Sequence, residues 1–167
     1  ALSLVGSEMC IRDRFMAERN VPPSITIETN GTQDLNFDAG FVTMIDNYND
    51  VNGELFWSVS PKLRTVSGEK KEKAIKPEHV KNYYDLSKNG QLKFVVNGTK
   101  ECWKEVEDVI RSFRAHGINF PIWIMPVSAT KEGQEEVAGK IATQALKRGY
   151  KVSARVHCYL WGNVVGV

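Results

Sequence analysis

An α/β fold built on a parallel sheet is what this sequence of 167 residues predicts, and three observations carry the reading. Short β-branched runs alternate with longer segments whose apolar residues recur every three or four positions. Glycine, proline or asparagine stands at nearly every junction. The unusual polar residues fall just after the strand-like runs, where parallel sheets place their ligands.

Residues 1–14, ALSLVGSEMCIRDR, show neither clean helical periodicity nor strand alternation, and they join abruptly to a coherent pattern near Phe15. The run is similar to translated sequencing-adapter read-through. It reads as a non-native leader, and Cys10 falls within it.

Ser24 to Glu28, SITIE, reads as a buried strand entering the polar loop ETNGT, and a connection follows. Glu54 to Ser60, ELFWSVS, is a second strand stopped by Pro61, which has no N–H for a ladder. The basic stretch of Lys70, Lys71, Lys73 and Lys76 is interleaved with Glu69 and Glu72 and reads as a solvated loop. Next comes a helix with Pro77 in its first turn, Val80, Tyr83 and Tyr84 on one face, and Asn89-Gly90 as its stop.

Gln91 to Val96, QLKFVV, is the third strand. Thr99 then caps a helix whose stripe of Trp103, Val106, Ile110 and Phe113 is core, closed by Gly117. Pro121 to Met125, PIWIM, is the fourth strand. The helix after it carries Glu132, Glu135 and Glu136 early and Lys147 and Arg148 late, as its dipole favours, and ends at Gly149. Tyr150 to His157, YKVSARVH, is the fifth strand. Such alternation makes a parallel α/β sheet, open or curved into a barrel.

Composition excludes several function classes. With 42% hydrophobic and 25% charged residues the chain can bury a core, and a formal charge of +2 is too small to imply a nucleic-acid partner. No window approaches the roughly 20 apolar residues of a membrane span, so a cytoplasmic protein is expected. Cys10, Cys102 and Cys158 are odd in number and widely spaced, which fits reduced thiols rather than a disulfide scaffold or a local metal site.

The strand ends supply the candidate binding residues. After the first strand, Glu28, Thr29 and Asn30 beside Gly31 offer a carboxylate, a hydroxyl and an amide for a ribose or polar heterocycle, or form an ordinary Asn-Gly turn. After the second, Pro61 fixes the backbone between the Ser60 hydroxyl and the Lys62 cation. On the third, Gln91, Lys93 and Val95 share one face. There Lys93 needs a charged partner or ligand, unless it snorkels at an edge. After the fourth, Ser128 and Thr130 read as helix caps. The last strand brings Arg155 and His157, and the histidine, beside an aromatic and an amide, is either a structural residue or a donor to a heterocycle. His79 and His116 fall on helical surfaces and carry no comparable case.

Taken in order, ETNGT, WSVSPKL, QLKFVV and RVHCYLWGN resemble the C-terminal half of the 7-carboxy-7-deazaguanine synthases, across nearly all of residues 24–167. The resemblance implies a partial (β/α) barrel of the radical S-adenosylmethionine type, truncated at its N-terminus. It also implies a carbon-nitrogen lyase that contracts 6-carboxy-5,6,7,8-tetrahydropterin to 7-carboxy-7-deazaguanine for queuosine and other 7-deazapurines. The implied cofactors are S-adenosylmethionine, a four-iron, four-sulfur cluster and magnesium; the implied partners are the pterin, a missing N-terminal half and a second copy in a homodimer.

By the same resemblance, Ser60, Pro61 and Lys62 contact S-adenosylmethionine, with Gln91, Lys93, Val95, Glu28, Asn30 and Gly31 around it. Thr29, His157 and the terminal carboxylate of Val167 face the pterin. The sequence departs from the family in lacking the three-cysteine cluster motif and the GGEP-like segment, so no catalytic or cluster-binding residue is assigned, and the chain alone is expected to be inactive. Cys102 and Cys158 read as packing cysteines. Two other readings stand beside this one: a non-catalytic α/β nucleotide-binding module, and a related radical enzyme with another substrate.

Overall fold

The computed structural model describes residues 2–4, 23–35, 39–50, 53–128 and 131–156. Five parallel strands form the body of one sheet: β2 (Ser24–Thr29), β3 (Glu54–Val59), β4 (Gly90–Val96), β5 (Ile122–Pro126) and β6 (Lys151–Val152). A three-residue strand, β1 (Leu2–Leu4), adds in parallel beside β2, where the sequence reading assigns no strand. Spatial order follows chain order without reversal.

Helices fill every crossover from β2 onward. They are α1 (Ala39–Asp50), the one-turn α2 (Arg64–Ser67) and α3 (Lys71–Ala74), then α4 (Pro77–Leu86), α5 (Lys100–Ala115) and α6 (Lys131–Lys147). Parallel crossovers are right-handed in nearly all proteins, so an order that never reverses stacks all of its helices on one face. One core cluster accordingly joins Ile45 and Tyr48 of α1, Val80 and Tyr83 of α4, Val106 and Phe113 of α5 and Ile141 of α6 to the strands. The sheet is wound in one sense only, unlike a doubly wound sheet with its switch point.

Strand β4 shows the consequence residue by residue. Gly90, Leu92, Phe94 and Val96 are buried towards the helices, while Gln91, Lys93 and Val95 alternate with them and stay partly exposed. Parallel sheets are ordinarily covered on both faces. Among the described residues the helices cover only one.

Local sequence explains the helix ends. The Thr99 hydroxyl accepts from the Cys102 N–H at 3.2 Å and opens α5, and Pro77 starts α4 where a missing N–H costs nothing. The stripe of α5 is core, as expected, and Cys102 is a free cysteine packed within it. The ring of Tyr83 stacks on Trp57 with centroids 4.7 Å apart, tying α4 to β3.

Three expectations need correction. The connection after the first strand contains the helix α1, whose Ile45 and Tyr48 are buried although the segment is rich in Asn and Asp, which favour turns. The lysine-rich loop winds one turn as α3, because Ala74 and Ile75 are buried and anchor it. The fifth strand spans two residues rather than eight: the ladder ends where the Ser153 N–H meets the Ile124 carbonyl at 2.9 Å, and Val156 is exposed. No described helix is long and apolar enough to cross a membrane.

Candidate functional site

The open face forms a cleft of about 430 Å³ at the C-terminal ends of the strands, lined by Glu28, Thr29, Asn30, Ser58, Ser60, Lys62, Lys93, Val95, Met125 and Arg155. Sheet register explains this convergence. Glu28 lies beside Ser58, Ser58 beside Gln91, and Val95 beside Met125, so side chains far apart in sequence share one face.

Lys93 has its partner. Its Nζ stands 3.7 Å from Glu28 Oε1, with the lysine side chain 19% exposed and the glutamate 48%. Lys93 sits on a central strand, so edge snorkelling is ruled out. Lys62 is exposed at the rim and Arg155 lies at the opposite side, its Nε donating to Met125 Sδ at 3.4 Å. Among the described residues three cations therefore face one carboxylate, and the cleft suits a ligand carrying negative charge together with hydroxyls.

The loop after β2 is shaped from within and clamped from outside. Thr29 Oγ1 accepts from the Gly31 N–H at 3.1 Å, and Asn30 Oδ1 accepts from the Thr32 N–H at 3.0 Å and the Thr32 hydroxyl at 2.7 Å. With Oδ1 so committed, the Asn30 NH2 is the group left to donate. Helix α4 holds the next residues: the Tyr83 hydroxyl donates to the Gln33 carbonyl at 2.5 Å, and His79 Nδ1 lies 2.9 Å from the Thr32 carbonyl. His79, read from sequence as an uninvolved surface residue, is one of the clamps.

Gly31, Pro61 and Gln91 support the cleft without lining it. Gly31 has a φ of 81°, and a Cβ there would come within 2.9 Å of Val80 and 3.0 Å of Val59, so it lets the loop lie against the core. Pro61 is buried between Ser60 and Lys62. Gln91 donates its amide to Ser58 Oγ at 3.0 Å, turning towards the neighbouring strand instead of the cleft. Ser58 and Met125 were missed from sequence. Ser58 could have been found two residues before Ser60 on the same face, and Met125 by lateral register with Val95.

The segment carrying Ser60 to Lys62 is fixed on both flanks. The Ser60 N–H donates to the Thr29 carbonyl at 2.7 Å, and beyond Lys62 the Glu105 carboxylate of α5 accepts from the N–H groups of Arg64 and Thr65 at 2.8 and 2.9 Å. Burial opposes ionisation of Glu105, but the Thr65 hydroxyl and these two N–H groups outweigh it and hold its carboxyl below the ordinary glutamate value.

No group of three His, Cys, Asp or Glu side chains that could hold a metal ion occurs among the described residues. His157, Cys158, Val167 and Cys10 lie outside them.

No protein-family model matches the chain. No solved structure matches it either. A curated protein of Pyrobaculum aerophilum named 7-carboxy-7-deazaguanine synthase is 31% identical over 112 residues, which are 66% of this chain and 45% of that relative. The chain is similar to that synthase, in agreement with the resemblance carried by its motifs, and it spans less than half of the relative's length.

Proposed function

We propose that the chain is the S-adenosylmethionine-facing part of a radical enzyme of the 7-carboxy-7-deazaguanine synthase kind, acting on a 6-carboxytetrahydropterin. The observation that carries the reading is the convergence of Glu28, Asn30, Ser60, Lys62 and Lys93, from three successive strands and the loops after them, on one cleft. Its volume falls in the range of small-molecule sites, roughly 300–1,000 Å³.

The donor set fits S-adenosylmethionine. Glu28 accepts only, and so suits ribose hydroxyls or an ammonium group; Lys93, held by Glu28, and Lys62 at the rim donate to a carboxylate or to base nitrogens. Ser60 and Asn30 supply neutral hydrogen bonds, while Val95 and Met125 offer an apolar wall. When bound beside a reduced iron-sulfur cluster, S-adenosylmethionine supplies radical chemistry. The described residues do not fit the cluster, since Cys102 is buried in the core and no ligand group surrounds it.

The winding favours a barrel segment. A parallel sheet with helices on one face and polar side chains on the other is the arrangement of a (β/α) barrel wall, whose inner face binds at the strand C-termini.

The rival is a non-catalytic nucleotide-binding module, favoured by the excess of cations in the cleft, where among the described residues Lys62, Lys93 and Arg155 stand against Glu28 and would suit phosphate groups. Competition binding separates the two. S-Adenosylmethionine and S-adenosylhomocysteine should bind and displace each other, with adenosine triphosphate a poor competitor. Preference for the triphosphate would replace the proposal with its rival.

A further inference from the structure

We infer that Glu105 is a positioning residue for the cleft, acting on Lys62 through the backbone of α2 and not by touching ligand. The inference rests on the reading of Lys62 as a ligand contact.

Lys62 stands between two buried residues, Pro61 and Leu63, two positions before a helix of one turn. A four-residue helix cannot hold itself, because nucleation outweighs the few hydrogen bonds it gains. Its cap residue, Leu63, offers no side-chain acceptor to the free N–H groups at its start. Glu105 replaces that missing cap from a different helix. Its Oε1 accepts from the Arg64 N–H at 2.8 Å, and its Oε2 accepts from the Thr65 N–H at 2.9 Å and the Thr65 hydroxyl at 2.6 Å. Asn97, just past β4, adds a weaker tie, its Nδ2 lying 3.3 Å from the Thr65 carbonyl.

Glu105 does not line the cleft. It faces a separate shallow hollow of about 290 Å³ with Arg64, Lys71 and Lys104. The carboxylate therefore reaches the ligand only through the chain segment that it fixes. Loss of the cap frees the start of α2, and Lys62 loses its set position although its own side chain is unchanged.

The test is a double-mutant cycle on the full chain, with S-adenosylhomocysteine affinity read by calorimetry for Glu105→Gln, Lys62→Ala and the pair. Lys62→Ala should weaken binding about tenfold, the size of one charged hydrogen bond. Glu105→Gln should weaken it by about threefold or more in the wild-type background and have almost no further effect once Lys62 is gone. Thr65→Val, which deletes the hydroxyl contact alone, should act in the same direction and serves if Glu105→Gln fails to fold. Equal losses from Glu105→Gln with and without Lys62 would overturn the inference, as would wild-type affinity in both cap variants. Wild-type affinity in Lys62→Ala would instead overturn the reading of the cleft on which the inference stands.

Discussion

Lys93 on β4 reaches across the whole of β3 to Glu28 on β2, closing to 3.7 Å. The pair holds a cation at the centre of a sheet face that no described helix covers. At this separation, and with the glutamate half exposed, such a pair contributes on the order of 1 kcal/mol. Its place in the cleft points to ligand binding more than to folding.

Lys93→Met should therefore leave stability within about 1 kcal/mol of wild type, because a flexible apolar side chain suits a half-buried position next to Val95 and Met125. Urea midpoints of the two proteins measure this. A much larger loss would make Lys93 a folding residue.

Gly31→Ala should destabilise by about 1–3 kcal/mol, since it combines a left-handed backbone with a Cβ driven against Val80 and Val59. Equilibrium unfolding gives the figure. The substitution should also displace Asn30, so ligand affinity falls with stability.

Gln144→Leu should cost about 1–3 kcal/mol by leaving a buried donor unpaired. The indole N–H of Trp103, a residue only 3% exposed, donates to Gln144 Oε1 at 2.6 Å, with Arg148 stacked over the ring. Unfolding of this variant should report on the α5–α6 contact without altering the cleft.

The Glu105 carboxyl gives a signed pH dependence. Its folded-state value lies below the ordinary 4.5, so its contribution is fully present above that value and is lost as pH falls through the lower, folded one. Glu105→Gln should be less stable than wild type at neutral pH, with the gap narrowing in acid. Urea midpoints of both proteins across that range check the sign; a gap that widened in acid would contradict it.

Much of the fold was legible because it is local. QLKFVV alternates strictly, and its partly exposed set of Gln91, Lys93 and Val95 is the one the alternation assigns. Thr99, Pro77 and Gly117 mark helix ends through their own chemistry. What was hidden depends on contacts distant in sequence. Glu105 caps residues 40 and 41 positions away, and nothing around it in sequence distinguishes it from a surface glutamate. YKVSARVH continues the β pattern past the point where its ladder to β5 stops. Gln91 turned to Ser58 because register made the two neighbours, and register is not visible in a single strand.

The most direct test of the cleft as an S-adenosylmethionine site is a calorimetric titration of that cofactor into the wild-type chain and into Lys93→Met. Saturable one-to-one binding by the wild type, lost in a variant that remains folded, is the predicted result. No binding to the wild type, or equal binding to both proteins, would contradict it.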